Sequence, residues 1–232
     1  VQTCALPILM IYFINGSPRR NGNTAQLLEA AMKGAADAGA QVERIDLFKL
    51  NYKGCMSCFA CKKIGGPSHG HCAQKDDLKP ILEKLETADG IVFGSPLYYF
   101  SVTAEMQAFL ERFLFIHNIY SNEIPTIYPK AIPSGFIYTM NVKEDRMKEF
   151  FEEYARNQKF FIGKTLGKEP ETLYAFNTTQ FSDYSQFDSS AFSAEEKAAW
   201  KKEHFPMDCE AAYSMGKRIA EMACQKRSEE RR

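Results

Sequence analysis

The run Gly16-Ser17-Pro18-Arg19-Arg20-Asn21-Gly22-Asn23-Thr24 sets small, hydroxyl and amide residues between a short apolar stretch and the start of a helical pattern. A strand running straight into such a turn and then a helix aims several backbone N–H groups, with Ser17, Asn23 and Thr24, at one point at the helix N-terminus. That is an anion site. The loop lacks the Gly-x-x-x-x-Gly-Lys-Ser/Thr of nucleotide hydrolases, and so has no lysine for a γ-phosphate. It also lacks the Gly-x-Gly-x-x-Gly of a dinucleotide turn. A terminal monophosphate such as that of FMN fits best, with Ser17, Arg19, Asn21, Asn23 and Thr24 as candidate contacts. The competing reading is a polar turn that binds nothing.

A second loop, Gly94-Ser95-Pro96-Leu97-Tyr98-Tyr99-Phe100-Ser101, leaves another apolar run. Pro96 fixes the turn, backbone groups can bond the polar edge of a planar ring, and Tyr98, Tyr99 or Phe100 can line its face. Ser95, Leu97 and Ser101 complete this candidate set. The alternative is that these aromatics belong to the core or to a contact between subunits.

Four of the seven cysteines, Cys55, Cys58, Cys61 and Cys72, fall within eighteen residues, while Cys4, Cys209 and Cys224 are scattered. An odd count with this clustering suits a metal or redox site in a reducing compartment better than a disulfide framework. The C-x2-C-x2-C spacing lets three thiolates converge on a [4Fe–4S] cluster, with Cys72 as the fourth ligand. Zinc held by the same thiols with His69 or His71 is a second reading. A reduced, packed thiol-rich loop is the third, since free cysteine often behaves as a small hydrophobe. His69 and His71 themselves read as residues of an exposed glycine-rich loop.

Positioning these groups requires alternating elements. Met10 to Ile14 reads as a buried central strand, followed by a helix over about 24–38 in which Asn23 and Gln26 form a capping box. Strands are expected at 41–47, 90–95, 134–140 and 172–176. Helices are expected at 76–87, 103–115, 144–161 and about 208–225. Right-handed crossovers then give a parallel sheet covered on both faces, an α/β three-layer α/β/α sandwich of five strands in the flavodoxin-like order 2-1-3-4-5. In such sheets ligands lie at the carboxyl ends of the strands, where both loops would meet.

Residues 52–74 and 177–192 do not fit the minimal pattern and read as excursions near the site. In the second of them Phe181, Tyr184, Phe187 and Phe192 suggest a lid or a dimer contact, with plain surface packing as the alternative. Residues 1–9 lack a starting Met and read as a non-native leader, which leaves 10–232 as one domain. Lys plus Arg equals Asp plus Glu at 29 each. That balance points away from nucleic acid and from a polybasic membrane anchor and toward a small-molecule partner. No apolar run approaches the roughly 20 residues of a membrane span, so a cytoplasmic location is expected.

Gly16-Ser17-Pro18…Asn21-Gly22-Asn23-Thr24 together with Gly94-Ser95-Pro96-Leu97-Tyr98 resembles the NADPH-dependent FMN reductase and iron-sulfur flavoprotein branch of the flavodoxin-like superfamily. Phe205-Pro206-x-Asp208 leading to Gly216-Lys217-Arg218 resembles the C-terminal helix of these proteins. Cys55, Cys58 and Cys61 match the start of the iron-sulfur flavoprotein cysteine motif, although the ten residues before Cys72 are more than that motif has. The resemblance implies FMN bound by both loops and by a third, Thr139-Met140-Asn141-Val142, with Thr139 and Asn141 as contacts. It also implies NAD(P)H as co-substrate, a flavin, quinone or similar small molecule as electron acceptor, and a homodimer or higher homo-oligomer. No side chain need serve as acid or base, because the chemistry would belong to the flavin. Two other classes compete. One is a non-enzymatic electron carrier, which a neutral chain disfavours. The other is a redox sensor in which the cysteine loop is the working part.

Overall fold

The computed structural model describes residues 9–121 and 123–229. Most of the expected leader, residues 1–8, lies outside the described residues. Leu9, placed with it at the sequence level, is buried and accepts a hydrogen bond from Gln41 N at 2.7 Å.

Five parallel strands form one sheet in the order β2-β1-β3-β4-β5: β1 Met10–Asn15, β2 Gln41–Asp46, β3 Gly90–Pro96, β4 Ser134–Thr139 and β5 Glu171–Ala175. This is the expected flavodoxin-like order. β1, β3 and β4 are buried almost throughout, as strands covered on both faces must be. The helices are α1 Asn23–Asp37, α2 Leu78–Leu85, α3 Ala104–His117, α4 Glu144–Phe150, α5 Glu152–Leu166 and α6 Ala194–Glu229. On one face α1 and α6 bury Leu27, Leu28, Met215 and Ile219 against Phe13, Val92 and Ile137. On the other, α3 presents Met106, Phe109 and Phe113 to Phe93 and Phe136, so the aromatic stripe read from the sequence does pack on the sheet.

Where α1 and α6 cross, Gly34 and Gly216 let the backbones touch. A Cβ on either would stand 1.9 Å from a carbonyl oxygen of the other helix, that of Tyr213 or of Ala31. This close crossing carries α6 back over the sheet and brings its first turns beside the strand ends.

Three expectations require correction. The capping box does not form: Gly22 is the N-cap, no side chain caps α1, and the Asn23 amide instead donates to Thr179 O at 2.9 Å. The single helix expected over 144–161 is broken at Phe151 (φ −122°), where a fully buried ring packs edge-on to Tyr138 at 5.1 Å. Burying that ring stabilises the bend, and the backbone bonds Phe151 N to Met147 O and Ala155 N to Phe151 O, 2.8 and 2.9 Å, are kept across it. The last helix begins at Ala194 rather than near Asp208 and runs 36 residues through Pro206. Its start is set by Ser193, whose Oγ accepts from Glu196 N at 3.2 Å, an N-terminal cap by hydroxyl. Among the described residues no helix is long and apolar enough to cross a membrane.

Candidate functional site

At the carboxyl ends of β1, β3 and β4 three loops enclose a cleft of about 260 Å³. Ser17, Arg19, Asn21, Asn23 and Thr24 line it from the first loop, Pro96, Leu97 and Tyr98 from the second, and Thr139 and Asn141 from the third. The loops are tied to one another. Gly16 N donates to Gly94 O at 2.8 Å, Thr103 Oγ1 donates to Gly16 O at 2.7 Å, and Thr24 Oγ1 and Thr139 Oγ1 share a 2.7 Å hydrogen bond. Leu97 N donates to Thr139 O at 2.9 Å.

The electrostatics of the cleft are one-sided. No Asp or Glu is among its lining residues, while Arg19 and Lys201 are. Because no side chain caps α1 and its first turn holds no acid, the backbone donors of that turn remain free for a ligand. The donors present, amides, hydroxyls, a guanidinium and uncapped N–H groups, fit a phosphate monoester in kind and in sign.

The second loop divides its predicted residues. Ser95 is fully buried and braces the turn, donating to Pro96 O and accepting from Thr103 N at 3.1 Å. Tyr98 and Ser101 close a tight turn through paired backbone bonds of 2.8 and 3.1 Å. Tyr99 and Phe100 take left-handed backbone angles within it, φ 50° and 57°. Each costs an L-residue about 1 kcal/mol or more. The turn directs Tyr99 fully into solvent and Phe100 onto Phe150, ring centroids 4.9 Å apart, so of the three aromatics only Tyr98 lines the cleft.

Sequence reasoning assigned no contacts to the far wall. Thr178, Thr179, Gln180, Phe181 and Ser182 close it, and Arg19 Nη1 donates to Gln180 O at 2.5 Å. Only Phe181 had been singled out there. It stacks on Phe187 at 4.1 Å and meets Tyr184 edge-on at 5.3 Å, whereas Phe192 lies instead over Lys197. Lys201 arrives from the part of α6 that precedes the helix start expected near Asp208.

The four clustered cysteines form a separate region. Cys55, Cys58, Cys61 and Cys72 all line one small cavity of about 20 Å³, with Arg112 on its wall. The loop that brings them together holds Ser57 and Phe59 at φ 52° and 56°. Arg112 is 1% exposed, forks onto Asp76 at 2.5 and 3.0 Å, and has an Nε with no hydrogen-bond partner. Burial pushes the Cys61 thiol up and the Lys62 ammonium down. Cys58 is exposed, as are His69 and His71, neither of which lines the cavity. Four thiols facing a buried cation suit an anionic cluster in kind. Their present arrangement does not: among the described residues no group of three or more His, Cys, Asp or Glu is placed to hold a metal ion.

The model of the NADPH-dependent FMN reductase family matches residues 9–124, half of the chain, and takes in both the first two cleft loops and the cysteine loop. The chain belongs to this family. Within the curated proteins, it is 38% identical over 104 residues to an iron-sulfur flavoprotein of Archaeoglobus fulgidus, a match covering 44% of either chain. The chain thus spans less than half the length of that relative.

Among solved structures, an NAD(P)H:quinone oxidoreductase from Methanothermobacter marburgensis superposes with a TM-score of 0.65 at 16% identity, over 91% of this chain and 96% of the other. An FMN-dependent NADH-azoreductase from Bacillus anthracis, solved with FMN, gives 0.56 at 12% identity, over 90% and 100%. At those identities the likeness is one of fold.

Proposed function

We propose that the cleft holds FMN, its phosphate on the 16–24 loop, and that the protein is an NAD(P)H-dependent oxidoreductase passing electrons to a small acceptor such as a flavin or quinone. The observation that carries this reading is an acid-free cleft at an uncapped helix N-terminus, at the switch point of the sheet. Family membership and the flavoprotein relatives support it.

Ser17, Asn21, Asn23, Thr24 and the first-turn N–H groups would hold the phosphate, and Arg19 would close over it from the mouth. Pro96, Leu97 and Tyr98 would flank the ring on one side, Thr139 and Asn141 on another. Bound FMN supplies hydride acceptance from the nicotinamide and onward electron transfer. The chain's own contribution is to orient the ring and to exclude water. The homodimer and the cytoplasmic location implied at the sequence level belong to the same proposal. Anaerobic addition of NADPH or NADH to the FMN-loaded protein tests it: bleaching of the flavin absorbance, with recovery on adding a quinone, is expected, and unchanged absorbance would refute the activity.

A second reading adds a [4Fe–4S] cluster on Cys55, Cys58, Cys61 and Cys72. It is favoured by the placement of all four thiols on one cavity beside Arg112. No step is routed through such a group, since the thiols do not converge as they stand. Iron, sulfide and zinc assays on anaerobically purified protein decide between cluster, zinc and plain thiols.

A further inference from the structure

A second cavity of about 420 Å³ adjoins the cleft and shares Asn141 with it, between the segment after β4 and the first turn of α6. On its wall lies Lys197, only 3% exposed. Its ammonium donates to Asn141 O at 2.5 Å and to Asn177 Oδ1 at 2.6 Å, and the Phe192 ring covers it at 5.0 Å. An ammonium has three donors, so one proton is left without an acceptor among the described residues.

Burying a charge is expensive unless an opposite charge accompanies it. Among the described residues no carboxylate stands within ion-pair distance of Lys197 or of Lys143, the second cation on the wall. Asp145 and Glu196 line the same cavity but reach neither lysine, and Arg146 is turned to Glu149 at 3.0 Å. Burial, and then the Lys143 charge, hold Lys197 down at about 8. Two cations without a carboxylate partner, one of them buried, beside an open cavity make a place for an anion.

We propose that this cavity takes a phosphate of the pyridine dinucleotide, with Lys197 and Lys143 as its cationic partners. The proposal rests on reading the adjoining cleft as the flavin site, since a nicotinamide lying there would put the rest of the dinucleotide next door. The cavity is larger than a lone phosphate needs, in keeping with a nucleotide rather than an inorganic ion. The pyrophosphate and the 2′-phosphate share the required chemistry.

Calorimetric titration of the FMN-loaded full chain with NADP⁺ and NAD⁺, which cannot reduce the flavin, tests it. The exposed Lys143→Gln should weaken binding about tenfold, the usual worth of one charge-assisted hydrogen bond. Weakening of both nucleotides assigns the pyrophosphate, and weakening of NADP⁺ alone assigns the 2′-phosphate; either supports the site. Lys197→Met, checked by thermal melting, should weaken binding at least as much. If it does not fold, Lys143→Gln decides alone. Unchanged nucleotide affinity in Lys143→Gln and in any folded Lys197→Met overturns the proposal. FMN affinity of Lys143→Gln, measured alongside by fluorescence quenching, should stay within about twofold of wild type. A wild-type chain that binds no FMN would instead overturn the reading of the cleft, whichever way the nucleotide titration falls.

Discussion

The flavin cleft and the cysteine cavity both collect residues already suspicious in the sequence, yet the structure treats them differently. In the cleft, side chains and backbone donors from three loops are locked together by bonds such as Thr24–Thr139 and Thr103–Gly16, and the cavity between them is open. At the cysteines the four thiols share a cavity with room for about one water molecule and do not converge. The lesson is that a strand-end loop is preorganised by the sheet itself. A long connection such as 52–74 has no such frame, and its cysteines are held only by the loop and by α3.

The largest expected effect would break the first half of this contrast. In Gly16→Val the new Cβ would stand 2.9 Å from Met106 Cβ and 3.2 Å from Gly94 O. Overpacking there should cost about 2 kcal/mol of stability and push the phosphate loop off α3. FMN affinity, read by fluorescence titration, should fall at least about 100-fold, with a lowered melting temperature.

Next in size is an acid effect confined to the cysteine side. His117 is 1% exposed, with Nδ1 at 2.8 Å from Phe113 O and Nε2 without a hydrogen bond though 3.8 Å from Glu86 Oε1, and burial lowers its pKa to about 4. Lys62 reaches over it to Ile116 O and Asn118 O. Folded, the ring stays neutral down to about pH 4, whereas unfolded it protonates near 6.5. The unfolded chain therefore gains the proton across that window, and stability present above pH 6.5 is lost as pH falls toward 4, by up to about 3 kcal/mol. Urea unfolding at a series of pH values should show this slope in wild type and a flatter one in His117→Asn.

Smaller still, Thr24→Ala removes one proposed phosphate donor together with the bond to Thr139. It should weaken FMN about tenfold while shifting stability by about 1 kcal/mol. The smallest effect sharpens the second half of the contrast. Cys58→Ser, at an exposed thiol, should leave FMN affinity within about twofold of wild type, while any iron bound by the wild type is lost on elemental analysis. A joint loss of flavin would show that the two regions are one site.

The strand order and the first two cleft loops were legible because strand-loop-helix junctions write their function locally, in glycines and small polar residues, whereas the third loop was implied only by the family resemblance. Ser95 misled for the same reason: its position in the motif is right, but its hydroxyl turns inward to Thr103 N. Tyr99 and Phe100 were assigned by residue type, and only the left-handed turn decides that neither faces the cleft. The far wall was hidden because Thr179 and Gln180 reach Asn23 and Arg19 from more than 150 residues away. Lys197 and Lys201 were hidden because the last helix was expected to start only near Asp208, whereas it begins at Ala194.

The central claim, that the first loop is a phosphate site for FMN, is tested most directly by titrating the flavin-free protein with FMN and with riboflavin, which differ only in the phosphate. One FMN per chain is predicted, bound at least about 100-fold more tightly than riboflavin, since several charge-assisted hydrogen bonds are at stake. Equal affinity for the two, or no binding of either, would contradict it.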